Sequence, residues 1–506
     1  MKLPEYDQWD ALATAERIAS RDVSAEEVLE AAIERIEARN PAINAVVYKA
    51  YDAARASLRG LPAGPLHGVP MLLKNLVAMW EGHPQTRSCR FLCPQPGAPV
   101  AQTLATEDSV LVARLKAAGV VLLGTTNTPE LGLLGVTEPA LYGPTRNPWA
   151  LDRVPGGSSG GSGAAVAARL VPVAHGGDGG GSLRIPASAN GVVGLKPTRG
   201  RISQAPMLGE AWGGFVQEFV LTRSIRDCAL MLDVLSSPVM GDPHWAPPPP
   251  RPYHEEVGRA PGRLRIGFTA EPLLGTGSCH PDCRAALMQT VALLQGLGHE
   301  LEEARPDYDR EGMTEAYMLT VAAGLAAEIR AMERMLGQKA SWGALEPATW
   351  FMRRLGESLD APELVLVRAR IDENTRRIVR FFERYDVLIT PTLAAPPVKV
   401  GQLQPKPVEV AGIWTLTQLP LGGLMRAALR SSVQQLANDS LAATPNTQLF
   451  NMTGQPAISL PLMWNGEGLP VGIQCVSRFG EEGMLLRLGS QLEQAQPWQQ
   501  RLPPTL

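Results

Sequence analysis

"VPGGSSGGSGAAVAARLVPVAHGGDGGGSLRIPAS", residues 154–188, sets two glycine-serine clusters on either side of a short apolar segment. Glycine-rich loops present backbone N–H groups to anions, so phosphate binding is the first reading to test. It fails on spelling, because neither cluster contains GxxxxGKS or GxxxxGKT and neither gives GxGxxG after a strand. "GSSGG", residues 157–161, does match the GxSxG of a nucleophile elbow with Ser159 as nucleophile. That elbow follows an apolar strand, whereas "NPWALDRVPGG" reads as loop. It also needs a histidine late in the chain, and the last of seven is His299.

A serine hydroxyl is a weak nucleophile, and where no histidine is suitably placed a lysine neutralised by burial can serve as its base. Lys74 stands alone in "LHGVPMLLKNLVAM", residues 66–79, an apolar run that reads as a buried strand. Desolvation disfavours the ammonium and moves its pKa from ~10.4 towards the 7 to 8 range useful to a general base. Spacing alone leaves an alternative open, a lysine paired with a buried carboxylate.

The totals narrow the classes. A chain of 506 residues has room for about two to four domains or for one continuous α/β fold. Hydrophobic residues at 45% and charged residues at 19% describe an ordinary globular protein. With net charge -3 and no basic block, neither nucleic acid nor a membrane surface is an expected partner. The start, "MKLPEYDQWDALATAERIAS", lacks an apolar h-region and a small-residue cleavage site, so a cytoplasmic location is expected. No apolar stretch reaches the roughly 18 residues that a spanning helix requires. Cys89 and Cys93, like Cys279 and Cys283, lack the CxxC spacing of zinc pairs, so free thiols are expected.

Strand and helix signals alternate. "SAEEVLEAAIERIEA", residues 24–38, starts with a capping box of Ser24 and Glu27, and Asn40-Pro41 should close its helix. Residues 109–124 read as a helix ended by Gly119 and followed by a buried strand. The order returns at "LRIGFT" (264–269), a helix from about Asp282 to Leu297, and "YDVLITPT" (385–392). This predicts an α/β fold with a large mixed, mainly parallel β-sheet covered by helices on both faces. The Pro-rich connection 246–253 should end the N-terminal core. Residues 310–380 are helical in period, and Met332, Met335, Trp342, Trp350, Phe351 and Met352 read there as core before pocket.

"GGSSGGSGAAVAA", "HGGDGGGSLRIPAS" and "GVVGLKPTRGR" resemble the signature of the amidase signature family, serine hydrolases with a Ser-Ser-Lys triad. "PLHGVPMLLKN", "AAGVVLLGTTNTPELG", "YGPTRNPW", "FNMTGQPAISLPL" and "GLPVGIQ" extend the likeness over most of the chain. It is similar above all to the stand-alone branch that includes 6-aminohexanoate cyclic-dimer hydrolase, aryl acylamidases and urethanases. The resemblance implies one amidase signature domain over 1–506, with a signature core at about 60–230 and a variable helical pocket region at about 310–440. It implies Lys74 as base, Ser158 as bridging serine after a cis Gly157–Ser158 peptide, and Ser182 as nucleophile. Backbone N–H groups of Gly179, Gly180, Gly181 and Ser182 would form the oxyanion hole. Asp178 and Arg184 would support that loop, and Ser159 would join the relay or fill the turn. His175 is a rival base beside the loop, but the family uses lysine. The likeness implies a small-molecule amide or carbamate substrate, a monomer or homodimer, and no metal or organic cofactor.

A rival within the family is the glutamine-side amidase component of a glutamyl-tRNA amidotransferase, which works with partner chains and tends to carry Arg-Gln-Pro where this chain has Arg184-Ile185-Pro186. A non-catalytic binding protein on the same fold is the rival from another class. Two departures concern the oxyanion loop: Gly177 replaces a common threonine and Gly179 a larger residue, which predicts a looser loop with a more open floor. Asn75 replaces an aspartate after the lysine and removes a charge that would keep Lys74 protonated. Pocket walls are expected from Gln85–Phe91, from 201–214, where Gly213 and Gly214 suggest a lid, and from the region of Trp414 and Met425.

Overall fold

Short runs in which every residue is buried, such as Pro70–Lys74, Val121–Thr126 and Pro470–Val476, form the interior of a sheet covered on both faces. In the computed structural model, which describes residues 3–418 and 423–504, they belong to one eleven-stranded sheet. Along the chain the strands are β1 Val46–Lys49, β2 Pro70–Lys74, β3 Val121–Thr126, β4 Val173–Asp178, β5 Val193–Lys196 and β6 Gln217–Thr222. They continue with β7 Arg265–Phe268, β8 Glu300–Glu303, β9 Val387–Pro391, β10 Ala457–Trp464 and β11 Pro470–Val476. Their spatial order is β1-β3-β2-β4-β6-β5-β10-β11-β9-β7-β8.

The sheet is mixed, but the parallel weighting expected from the helix-strand alternation holds only in two blocks. β2 runs parallel to β3 and β4, and β7 parallel to β8 and β9. The other neighbours, β1–β3, β4–β6, β6–β5, β5–β10, β10–β11 and β11–β9, are antiparallel. Of these, β10 and β11 are antiparallel because they are joined by the short turn 465–469, too tight for a parallel crossover. Helices cover both faces. Ser459 and Gly472 meet Ser188 of the helix Arg184–Asn190, while Leu460, one residue on, lies beside Ile225 and Gly489 of two other helices.

The Ser24–Glu27 capping box forms, but the helix Ala25–Ile43 runs through Pro41 instead of stopping there. Asn40 explains the extension: its side chain accepts from Ala45 and Val46 N–H and donates to Val46 O, tying the helix end to β1. A second hydrophobic cluster, separate from the sheet core, gathers the helices Arg310–Leu336, Pro347–Glu357 and Ala361–Val379 around Phe91, Leu131 and Phe215. Met332, Phe351 and Met352 lie in it as expected. Met335 does not, being exposed, and Trp342 and Trp350 form a half-buried edge-to-face pair.

No helix of the described residues is long and apolar enough to cross a membrane, and none of their His, Cys, Asp and Glu side chains cluster as metal ligands. All six cysteines are free. Leu73, fully buried beside the lysine in β2, tests how firmly the strand is held: Leu73→Ala should cost about 2–5 kcal/mol, read from denaturant unfolding.

Candidate active site

β2 carries Lys74 as its last residue, between β3 and β4 and only 1% exposed. Its Nζ donates to Ser158 Oγ at 2.7 Å and to the Gly177 carbonyl at 3.3 Å. Burial lowers the amine's pKa to about 8, against the pull of the Glu218 and Asp178 carboxylates. No salt bridge to Lys74 occurs among the described residues, so the alternative of a carboxylate-paired lysine is not what the structure shows. The Gly157–Ser158 peptide is cis, and Ser158 leads into the helix Gly160–Ala167. His175 is not placed as a base towards Ser158: its Nδ1 accepts the Lys74 main-chain N–H at 3.3 Å, and its Nε2 lies 2.8 Å from Glu218 Oε2.

The second cluster turns out of β4 and into the helix Arg184–Asn190. Gly181 takes φ 120°, a left-handed-side conformation that a side chain resists, and delivers Ser182 partly exposed where Lys74 and Ser158 are closed off. Asp178 ties the turn by accepting from Gly181 N–H at 2.7 Å and Leu183 N–H at 3.2 Å. The Gly181 N–H is therefore spent on Asp178, which corrects its assignment to the oxyanion hole. Those of Gly179, Gly180 and Ser182 make no hydrogen bond among the described residues. Ser159 donates to the Gly177 carbonyl and accepts from the Gly177 N–H, bracing that peptide rather than joining the lysine.

Arg184 grips Asp178 with two contacts of 2.9 Å, both side chains fully buried. Burial pushes the Asp178 carboxyl up, but Arg184 and Asn451 more than offset it and hold it at about 2. The guanidinium also donates to Thr447 O, Gln474 Oε1 and Asn451 Oδ1. Asn451 and Gln474 were not singled out from sequence, although both lie within the late phrases that carry the resemblance.

The glycines of the loop do not open its floor. A Cβ at Gly179 would sit 2.9 Å from the Trp212 ring and from Val216 Cγ2. One at Gly180 would strike the Tyr317 hydroxyl, one at Gly181 Thr447 Oγ1, and one at Gly177 the Glu218 carboxylate. The missing side chains are replaced by neighbours from distant segments, so the predicted loosening is reversed. Tyr317 stacks on Phe215 with centroids 5.9 Å apart, giving the site an aromatic wall.

The other walls are pinned. Asn75 exchanges hydrogen bonds with Thr86 on the loop 85–91, and Arg87 of that loop pairs with Glu328 at 2.8 Å. Gly214 O, in the segment expected to act as a lid, accepts from Arg199 and Gln217. Trp414 lines an apolar surface groove with Trp342, Pro407 and Val410, while the side chain of Met425 lies outside the described residues.

The chain and its fold are matched by known proteins. The pattern of the amidase family fits residues 27–486, and the chain belongs to that family. It is 38% identical over 510 residues to the 6-aminohexanoate-cyclic-dimer hydrolase of Paenarthrobacter ureafaciens, across 100% of this chain and 98% of that one. The structure of 6-aminohexanoate cyclic dimer hydrolase complexed with substrate superposes with TM-score 0.87 over 99% of both chains. A bacterial aryl acylamidase of the amidase signature enzymes follows at TM-score 0.81, 28% identity and 97% of both chains. A component of the glutamyl-tRNA(Gln) amidotransferase of Thermotoga maritima, at 21% identity, TM-score 0.73 and 100% of both chains, shares the fold alone.

Asp178→Asn leaves Arg184 buried without its counter-charge and should cost about 3–5 kcal/mol. Asp178 binds a proton less readily folded than unfolded, so its contribution is complete above about pH 4 and fades as pH falls through about 2. Denaturant midpoints of wild type and variant should therefore converge in that acid range.

Proposed function

We propose that the chain is an amidohydrolase that cleaves C–N bonds through an acyl-enzyme on Ser182. One observation carries the reading: an amine buried with no ion-pair partner among the described residues, 2.7 Å from the Ser158 hydroxyl. Ser182 Oγ attacks the carbonyl carbon, Ser158 takes its proton, and neutral Lys74 takes the proton of Ser158. Charge gathering on the carbonyl oxygen is met by the N–H groups of Gly179, Gly180 and Ser182. The C–N bond breaks as Lys74 returns a proton through Ser158 to the leaving amine. Water then attacks the acyl-enzyme by the same relay and releases the acid.

The substrate class follows from the walls and the relatives. Trp212, Phe215 and Tyr317 favour an apolar or aromatic group beside the carbonyl, and the relatives named above act on a cyclic amide and on aryl amides. Aryl and alkyl amides and ω-amino acid oligomers, linear or cyclic, are the proposed substrates. Carbamates undergo the same attack through a carbamoyl-enzyme, so urethane cleavage belongs to the proposal. The amidotransferase reading has less support, because that neighbour is alike in fold alone and Ile185 departs from its motif.

The purified chain alone should hydrolyse members of a panel of anilides, 6-aminohexanoate oligomers and aryl carbamates. Ser182→Ala and Lys74→Ala should each lower kcat by at least about a thousandfold, and Ser182→Ala activity within tenfold of wild type would rule out the nucleophile. Because the base acts neutral, kcat/KM should rise with pH through about 8.

A further inference from the structure

A buried amine that gives up and regains a proton needs fixed charges around it, and those near Lys74 come from β4 and β6. Asp178 on β4 is neutralised by Arg184. Glu218 on β6 is different: it is 2% exposed, yet has no arginine or lysine partner among the described residues. Pairing of β4 with β6 sets Glu218 directly across from Gly177, whose carbonyl accepts from Lys74 Nζ. The carboxylate fills the space that a side chain on residue 177 would need. His175 links the two sides. Its Nδ1 accepts the Lys74 main-chain N–H, and its Nε2 lies 2.8 Å from Glu218 Oε2 without the alignment of a hydrogen bond.

The remaining elements around the pair add no free charge. β3 and the helix Gly160–Ala167 contain no titratable side chain. On the helix Ala25–Ile43, Arg35 and Arg39 are turned to Asp7. Burial drives Lys196 on β5, which donates to Pro197 O, towards its neutral form, and pushes Asp227 on the helix beyond β6, which accepts from Ala11 and Leu12 N–H, up to about 7.

We propose that Glu218, set beside His175 and given room by Gly177, is a positioning residue that sets the pH at which Lys74 becomes available as a base. The inference rests on the reading of Lys74 given above. Burial drives the amine towards its neutral form, and Glu218 is the foremost charge holding it at about 8 rather than lower. A lysine left wholly unopposed would be a weaker base and would return its proton to the leaving amine too readily.

Glu218→Gln keeps the shape and the contact with His175 and removes the charge. The pH midpoint for labelling of Ser182 by a fluorophosphonate, and the acid limb of kcat/KM, should both fall by about 0.5–1 pH unit, with the plateau rate within about threefold. A purely structural role would lower the plateau or the unfolding midpoint and leave the pH midpoint in place. Should Glu218→Gln fail to fold, Glu218→Thr, which is smaller and also uncharged, takes its place with the same expected fall. A labelled variant whose midpoint is unmoved or raised overturns the role of Glu218. Absence of labelling in the wild type would instead overturn the Ser182 reading itself.

Discussion

The contact between the Lys74 amine and the Ser158 hydroxyl, 2.7 Å long in a dry interior, is the constraint around which the rest is arranged. A lysine can be placed there only because β2 lies between β3 and β4, where water is excluded and the Gly177 carbonyl supplies a second acceptor. Such burial destabilises the ammonium, and no salt bridge among the described residues relieves it. Neutral groups, the Ser158 hydroxyl and the Gly177 carbonyl, accept its hydrogen bonds instead, and the carboxylates stay at one remove.

Keeping them there is the task of the glycine loop. Its four glycines are points of contact, each filled by a group that arrives from far along the chain: Glu218, Trp212, Tyr317 and Thr447. The Asp178–Arg184 pair binds the same turn to Thr447, Asn451 and Gln474. The loop that carries Ser182 is therefore defined from outside as much as by its own backbone, and its shape depends on β6, the helix Arg310–Leu336 and the late strands together.

Lys74 was legible in the sequence because one charge in an apolar strand is a physical anomaly, and the Ser24–Glu27 cap because its spacing is local. Ser158 and Ser182 needed the family likeness, since glycine-serine runs allow several chemistries. What stayed hidden was non-local. Pro41 failed to end its helix because Asn40 bonds to β1, and the antiparallel pairing of β10 with β11 followed from the turn 465–469, well beyond the last helix-strand signal. The open floor inferred from Gly177 and Gly179 reversed because a missing side chain does not say which neighbour takes its place. Gly181 looked like an oxyanion donor, but Asp178 claims its N–H.

Among the described residues the two large hydrophobic clusters are one built on the sheet and one mainly among the helices after residue 310, and Tyr317 of the second stands against Gly180 of the glycine loop. Packing on the helical side can change without touching the strand that buries Lys74, so the aromatic wall and the environment of the amine are set by separate stretches of the chain.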